Sequence, residues 1–153
     1  MRFMTLTYRC THTEFFKGLV VKRPLIPVTL SGKKEKMNFT AILDSGSDFI
    51  LLPREVADIL ELEYDESERE EGNTYTGSRI VTTRSVVRVL IQKGREKILA
   101  ECYCAINLGR ESKDEEIIFG SSFFEKVKIT FDYPRNKFEL KQGTTTLDKE
   151  VGR

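Results

Sequence analysis

Apolar residues along this chain recur in short runs separated by Gly, Pro and charged positions, the pattern of a protein built from strands rather than helices. Residues 25–30 alternate weakly between Pro24 and Pro27 on one side and a Ser31-Gly32 turn on the other, which predicts an edge strand or a strand start. Residues 33–36 read as a solvated hairpin loop and 39–43 as a strand. The best helix is short, with Pro53 at its start, Glu55 early, and Val56, Ile59 and Leu60 on one face. A long β-branched run over 80–91 predicts one arm of a hairpin whose tip lies near Gly77; a second hairpin turns at Lys93-Gly94 and returns through 98–108. Residues 109–116 form a polar loop, and 117–120 end a buried strand. A second short helix is predicted over 121–127, capped by Ser121 or Ser122. The segments 128–133 and 137–140 make a final hairpin around Pro134-Arg135-Asn136. Eight or so short strands with two minor helices predict an all-β domain.

Composition narrows the function. At 153 residues the chain supports one domain. Its 25 basic and 24 acidic side chains nearly cancel, so nucleic acid and acidic membrane surfaces are not expected partners. No stretch approaches the roughly 20 apolar residues of a membrane span, and the N-terminus lacks the apolar centre of a signal peptide. A soluble, cytoplasmic protein is expected. Three cysteines exclude a complete disulfide framework. Cys102 and Cys104 fall on one face of a strand, and Cys-x-Cys without a second pair is a poor zinc pattern. With His12 as the one imidazole, no metal and no cofactor are expected, and the thiols read as inert and reduced. Residues 61–71 carry seven carboxylates against one arginine, which predicts either a solvated connection or an acidic rim favouring basic peptides.

The candidate chemistry concentrates in residues 38–53. An apolar strand delivers Asp44 into Ser45-Gly46-Ser47, small residues that permit a tight turn, and a second apolar run, 49–52, follows at once. A carboxylate between two segments that are both driven to bury is a functional candidate with a perturbed pKa unless it is paired. Other chemistries fail: the Ser45 region is not Gly-x-Ser-x-Gly, no Gly-rich loop precedes a lysine, and a serine or cysteine nucleophile has no nearby histidine.

In this context Leu43-Asp44-Ser45-Gly46-Ser47-Asp48 resembles the signature of the retroviral-type aspartic peptidases, the retropepsin-like family: a hydrophobic residue, Asp, Thr or Ser, Gly, then Ala or Ser. Ile118-Phe119-Gly120 is similar to the apolar pair plus glycine that precedes the family's short late helix. Tyr75-Thr76-Gly77-Ser78 matches a flap tip, and Arg23-Pro24-Leu25-Ile26 is similar to the segment opening the first core strand. Where retroviral members follow the late glycine with arginine or another bracing group, this chain has Ser121.

The resemblance implies a retropepsin-like acid-protease barrel over residues 23–141, an N-terminal extension (1–22, possibly an extra strand) and a flexible tail (142–153). It also implies an aspartic endopeptidase. Such chemistry needs two carboxylates sharing one proton, and this chain carries one such motif, so the resemblance implies a two-fold homodimer with Asp44 catalytic. Ser45 and Gly46 support the catalytic loop. Gly46, Ser47, Asp48, Leu51, Tyr75, Thr76, Gly77 and Ile118 bind an extended peptide or unfolded-protein substrate. Arg23 of one subunit pairs with Asp48 of the other. The hairpin over 128–140 is expected to build the intersubunit sheet, with the N-terminal strand (3–8) as the alternative. Two other readings stay open: a retropepsin-like dimerisation or peptide-binding module with little or no turnover, and a monomeric β-barrel whose Asp44 only bonds its own turn.

Overall fold

The computed structural model describes residues 5–73, 77, 79–109 and 116–142. In chain order its elements are β1 (Thr5–Arg9), β2 (Thr11–Phe16), β3 (Leu19–Arg23), β4 (Leu25–Ser31), β5 (Lys36–Leu43), β6 (Ile50–Pro53), α1 (Arg54–Ile59), β7 (Glu70–Asn73), β8 (Arg79–Lys93), β9 (Glu96–Asn107), β10 (Ile117–Phe119), α2 (Ser121–Phe124), β11 (Val127–Asp132) and β12 (Lys137–Gln142). The all-β expectation holds, with two short helices at the two anticipated places.

The main sheet runs β4-β5-β10-β6-β9-β8-β7, and β4 also pairs with β8, so six of its strands close into a barrel while β7 hangs on the outside of β8. Closure uses Thr29↔Leu90, Leu30↔Val89 and Ser31↔Arg88, all at the C-terminal half of β4. Pro27 lies outside that short contact and pairs only with Thr40 of β5. A residue without an N–H is tolerated there because the first half of β4 is edge-like.

Strand alternation fills the barrel. On β8, Val87, Val89 and Ile91 point inward while Arg84, Val86 and Arg88 point out; on β9, Ile98, Ala100, Cys102, Cys104 and Ile106 are the inward set. Ile26, Leu30, Ile50, Leu52 and Phe119 join them with no solvent exposure. Burial pushes the Cys102 and Cys104 thiols up to about 12. Thiolate is the reactive form, so both should resist alkylation in the native protein at pH 8 and react once it is denatured, a difference that mass spectrometry reads directly.

A second, three-stranded sheet has the order β1-β12-β11. Leu6 of β1 faces Leu140 of β12, and Tyr8 faces Phe138 with the rings stacked 5.7 Å apart. Thus residues 5–9 complete a sheet with residues near the other end of the described chain. Between β11 and β12 the chain turns through Tyr133–Arg135, where the Arg135 N–H donates to Asp132 Oδ1 (3.3 Å) and Asn136 adopts the left-handed conformation with φ 61°. The remaining pair, β2 and β3, forms a two-stranded ribbon with no third strand among the described residues. Residues 143–153 lie outside them.

Phe138 has no exposed surface and anchors β12 between β1 and β11. Phe138→Ala is expected to cost ~3–5 kcal/mol, the usual range for deleting a buried aromatic ring, measured by denaturant unfolding.

Candidate active site

Asp44 is the first residue beyond β5, and its position is set by the backbone. β5 runs parallel to β10 with Phe119 opposite Leu43, and the Asp44 N–H donates to the Phe119 carbonyl at 2.9 Å. The turn then folds on itself. The Ser47 N–H donates to the Asp44 carbonyl (3.1 Å), the Gly46 N–H donates to Asp44 Oδ1 (2.9 Å), and Ser47 Oγ donates to the Phe49 carbonyl (2.9 Å). A Cβ on residue 46 would stand 3.2 Å from Asp44 Oδ1, so glycine keeps that carboxylate oxygen uncrowded.

The turn is clamped from its other side by the start of α2. The Ser121 N–H donates to the Ser47 carbonyl (2.8 Å) and the Ser122 N–H to the Asp48 carbonyl (3.0 Å). Gly120 makes that approach possible: a Cβ there would lie 2.3 Å from the Ser47 oxygen and 2.7 Å from the Phe49 oxygen. Its φ of −114° is ordinary, so the demand for glycine is steric and not conformational.

Neither Ser121 nor Ser122 caps α2, contrary to expectation; the cap residue is Gly120 and no side-chain cap is formed. Ser122 is instead buried. Its hydroxyl accepts from the Ile50 N–H (2.9 Å) and donates to the Tyr103 carbonyl (2.7 Å), joining α2 to β6 and β9. It ties α2 to the barrel from the position after Ser121. A hydroxyl one residue ahead of the apolar Phe123-Phe124 is the available signal in the sequence, and it is also the pattern of a helix cap.

The structure brings several predicted site residues together. Asp44, Ser45, Gly46 and Asp48 are exposed and Ser47 is half-buried. Of the apolar flanks Leu43 and Ile50 are buried, but Phe49 is 44% exposed, and Asp44 itself faces solvent. Among the described residues none of the ion pairs involves it. Leu51 and Ile118 pair directly across β6 and β10 and are half-buried on the face opposite the core-filling Ile50, Leu52, Ile117 and Phe119. Gly77 is exposed with φ 86° at the end of the β7–β8 hairpin, whose last pair is Asn73↔Arg79. Tyr75 and Thr76 lie outside the described residues. Arg23 is engaged with Glu116 of its own chain at 3.2 Å.

The acidic stretch is more tied down than a free connection. Thr83 Oγ donates to the carbonyls of Asp65 and Glu68, and Ser85 Oγ to that of Glu63. Four of its seven carboxylates pair with cations: Glu63 with Lys33, Glu66 with Arg54, Glu70 with Arg84 and Glu71 with Arg79. Nearby, Tyr64 donates to Asp58 (2.6 Å), and that bond to an anion, ahead of burial, pushes the phenol up to about 12. An acidic rim is therefore largely neutralised in place. Among the described residues no group of three or more His, Cys, Asp or Glu side chains is arranged to hold a metal.

Ser45 also lines a cleft with Phe124, Lys126, Val127, Ile129 and Phe131, so the turn opens towards β11. In the order β1-β12-β11 that strand is the outer one, with no further strand beyond it among the described residues.

Comparison with known proteins gives little beyond this geometry. No protein-family model matches the chain, and no curated protein matches it. Among solved structures it is similar to a retropepsin-like aspartic protease from Rickettsia conorii, at 14% identity over 89% of this chain and 98% of that one, with a TM-score of 0.49. No described helix is long and apolar enough to cross a membrane.

The clamp makes a quantitative prediction. Gly120→Ala should destabilise the protein by ~1–3 kcal/mol or more, because its Cβ meets backbone carbonyls that cannot turn aside. Ser122→Ala should cost ~1–3 kcal/mol by leaving the buried Ile50 N–H and Tyr103 carbonyl short of a partner. Urea unfolding curves of the two variants check both.

Proposed function

We propose that this chain is an aspartic endopeptidase of retropepsin-like design, working as a homodimer in which two Asp44 side chains flank one water. The observation that carries the reading is the Asp44 turn. Its backbone is clamped by Phe119, Ser121 and Ser122, while its carboxylate is exposed, held at one oxygen by the Gly46 N–H and joined to no cation among the described residues. Clamped backbone with a free carboxylate is what positioned acid–base chemistry requires. Two carboxylates side by side cannot both ionise; one stays charged and draws a proton from the water, the other stays protonated and donates to the departing amine.

The second carboxylate comes from a second copy. The outer edge of β11 supports this, since an unpaired strand edge is a template for another strand. Two such edges, antiparallel about a two-fold axis, join the three-stranded sheets into one of six strands. That the Ser45 turn shares a cleft with β11 supports an axis that would bring the Asp44 turns face to face. Ser45 would bond across the axis, and Arg23 would exchange Glu116 for the partner's Asp48. The substrate would lie extended beside the Gly77 end of the β7–β8 hairpin of each subunit, adding a strand through main-chain hydrogen bonds along Gly46, Ser47 and Asp48. Leu51 and Ile118, adjacent and half-buried, favour apolar side chains at the cut site. Three free, buried cysteines fit a cytoplasmic setting.

Cleavage of casein across pH 3–7 by the parent and by Asp44→Asn tests the reading. A loss of at least ~10³-fold is expected for the variant, whose amide can neither take nor give the proton. Cleavage that survives the substitution removes Asp44 from the chemistry. A parent that sediments as a dimer but never cleaves reduces the protein to a peptide-binding or dimerisation module.

A further inference from the structure

The β2–β3 ribbon is the one part of the described structure that has no place in the barrel, the second sheet or the site. It carries Phe15, Phe16, Leu19, Val20 and Val21, five of the thirteen exposed large hydrophobic residues among the described residues, within seven consecutive positions. Phe15 and Phe16 are 63% and 67% exposed and touch each other edge to face, with ring centroids 4.7 Å apart. Scattered exposed apolar residues need no explanation, but a cluster of this density marks a contact surface. A two-stranded ribbon alone in water is also marginal, so it gains from being covered.

Its root fixes where it acts. Cys10 is buried and its N–H donates to the Asn136 carbonyl (3.0 Å), while Lys22 Nζ donates to the Tyr133 carbonyl (2.8 Å). Both anchor points lie in the turn that follows β11. On the other side, the Pro24 carbonyl accepts from the Leu43 N–H (3.1 Å), one residue before Asp44. Phe131 and Tyr133, both about 40% exposed and in edge contact at 6.0 Å, link the root to the open edge of β11. Apolar surface therefore runs from the Ser45 cleft along β11 through Ile129, Phe131 and Tyr133 to the root of the ribbon, and the ribbon carries its own apolar residues beyond that root.

We propose that the ribbon is an arm that grips a second copy of this chain, packing Phe15, Phe16 and Leu19 against the partner's Phe124 and the cleft around it. This rests on the dimer reading above. If two β11 strands pair antiparallel, the Asp132 end of one lies opposite the Val127 end of the other. The root of each arm then faces the other subunit's α2–β11 junction. A six-residue strand reaches ~20 Å at about 3.3 Å per residue, enough to span that junction. Each Phe offers ~150–250 Å² of surface, so burying two per arm adds materially to an interface that needs roughly 1,000 Å² in total. The arm locks together a site that is incomplete in either copy alone.

Sedimentation of the full chain over a micromolar concentration series tests this with Phe15→Ser/Phe16→Ser and with Leu99→Ser, an equally exposed control on the outer barrel face at 63% exposure. The double variant should raise the dimer dissociation constant at least ~10-fold while the control leaves it unchanged, about 1.4 kcal/mol of association energy. A photo-crosslinking phenylalanine analogue at position 16 should join the two subunits through the partner's segment 121–131. A double variant that dimerises like the parent overturns the arm and leaves the peptidase dimer standing. A parent that is monomeric throughout overturns both. Sedimentation with phosphatidylserine–phosphatidylcholine vesicles that the double variant loses, at an unchanged dimer constant, assigns the arm to lipid and also overturns the proposal.

Discussion

The structure depends on one close approach, that of Gly120 to the carbonyls of Ser47 and Phe49. Without it, the amides of Ser121 and Ser122 cannot reach the Ser47 and Asp48 carbonyls, and the turn carrying Asp44 loses its outer support. The contact also joins three neighbouring strands of one sheet: β5 leads in, β6 leads out, and β10, which continues into α2, lies between them. The barrel exists in part to deliver these segments together. β10 is only three residues long, yet it pairs parallel to β5 and antiparallel to β6, which puts residues 44 and 120 side by side although they are far apart in the chain. Ser122 adds the last tie, because its buried hydroxyl serves β6 and β9 at once.

The division between rigid backbone and free side chain is what makes Asp44 more than a turn-former. Asp commonly stabilises a turn by accepting an N–H two residues on, as it does here from Gly46. That role needs one oxygen and no further support. The clamp from Phe119 and α2 exceeds what such a turn requires, and it leaves a carboxylate whose location is fixed by backbone bonds made elsewhere. Position without neutralisation is expensive to maintain in a buried site and cheap in an exposed one, so in a single chain the arrangement is stable only because the group faces water.

Much of the fold was legible because alternation is strong where the barrel is strongest. The inward and outward sets of β8 and β9 follow from Val87, Val89, Ile91 and their polar neighbours, and Pro53 marked α1. The N-terminal strands were harder to see. Residues 11–16 have no apolar alternation, because both faces of the β2–β3 ribbon are exposed, so the usual signal of a half-buried strand never arises. Within the site, the Asp44 turn was readable from Ser45-Gly46-Ser47, whereas the role of Ser122 was not. A serine near a helix start looks like a cap, and only the three-dimensional crowding at Gly120 explains why this hydroxyl turns inward to Ile50 and Tyr103.

The largest departure between pattern and structure is also the most informative. Two apolar runs around Asp44 led to the expectation of a carboxylate in an apolar setting, and Leu43 and Ile50 are indeed buried while Asp44 is not. The same imbalance appears at β11, where Ile129 is half-covered and Phe131 is exposed, and again along the ribbon at Phe15 and Phe16. The first two adjoin through the Ser45 cleft, and the Tyr133 turn ties β11 to the root of the ribbon. A domain of this size can bury its apolar residues efficiently, as the barrel does with every inward position of β9. Apolar surplus left on β11 and on the ribbon rooted beside it, close to a carboxylate that acid–base chemistry would need in duplicate, is what the proposed dimer resolves. In the proposed dimer a symmetric second copy would cover the β11 edge and dehydrate the carboxylate in the same step, and dehydration beside a like charge is the condition under which one proton is shared.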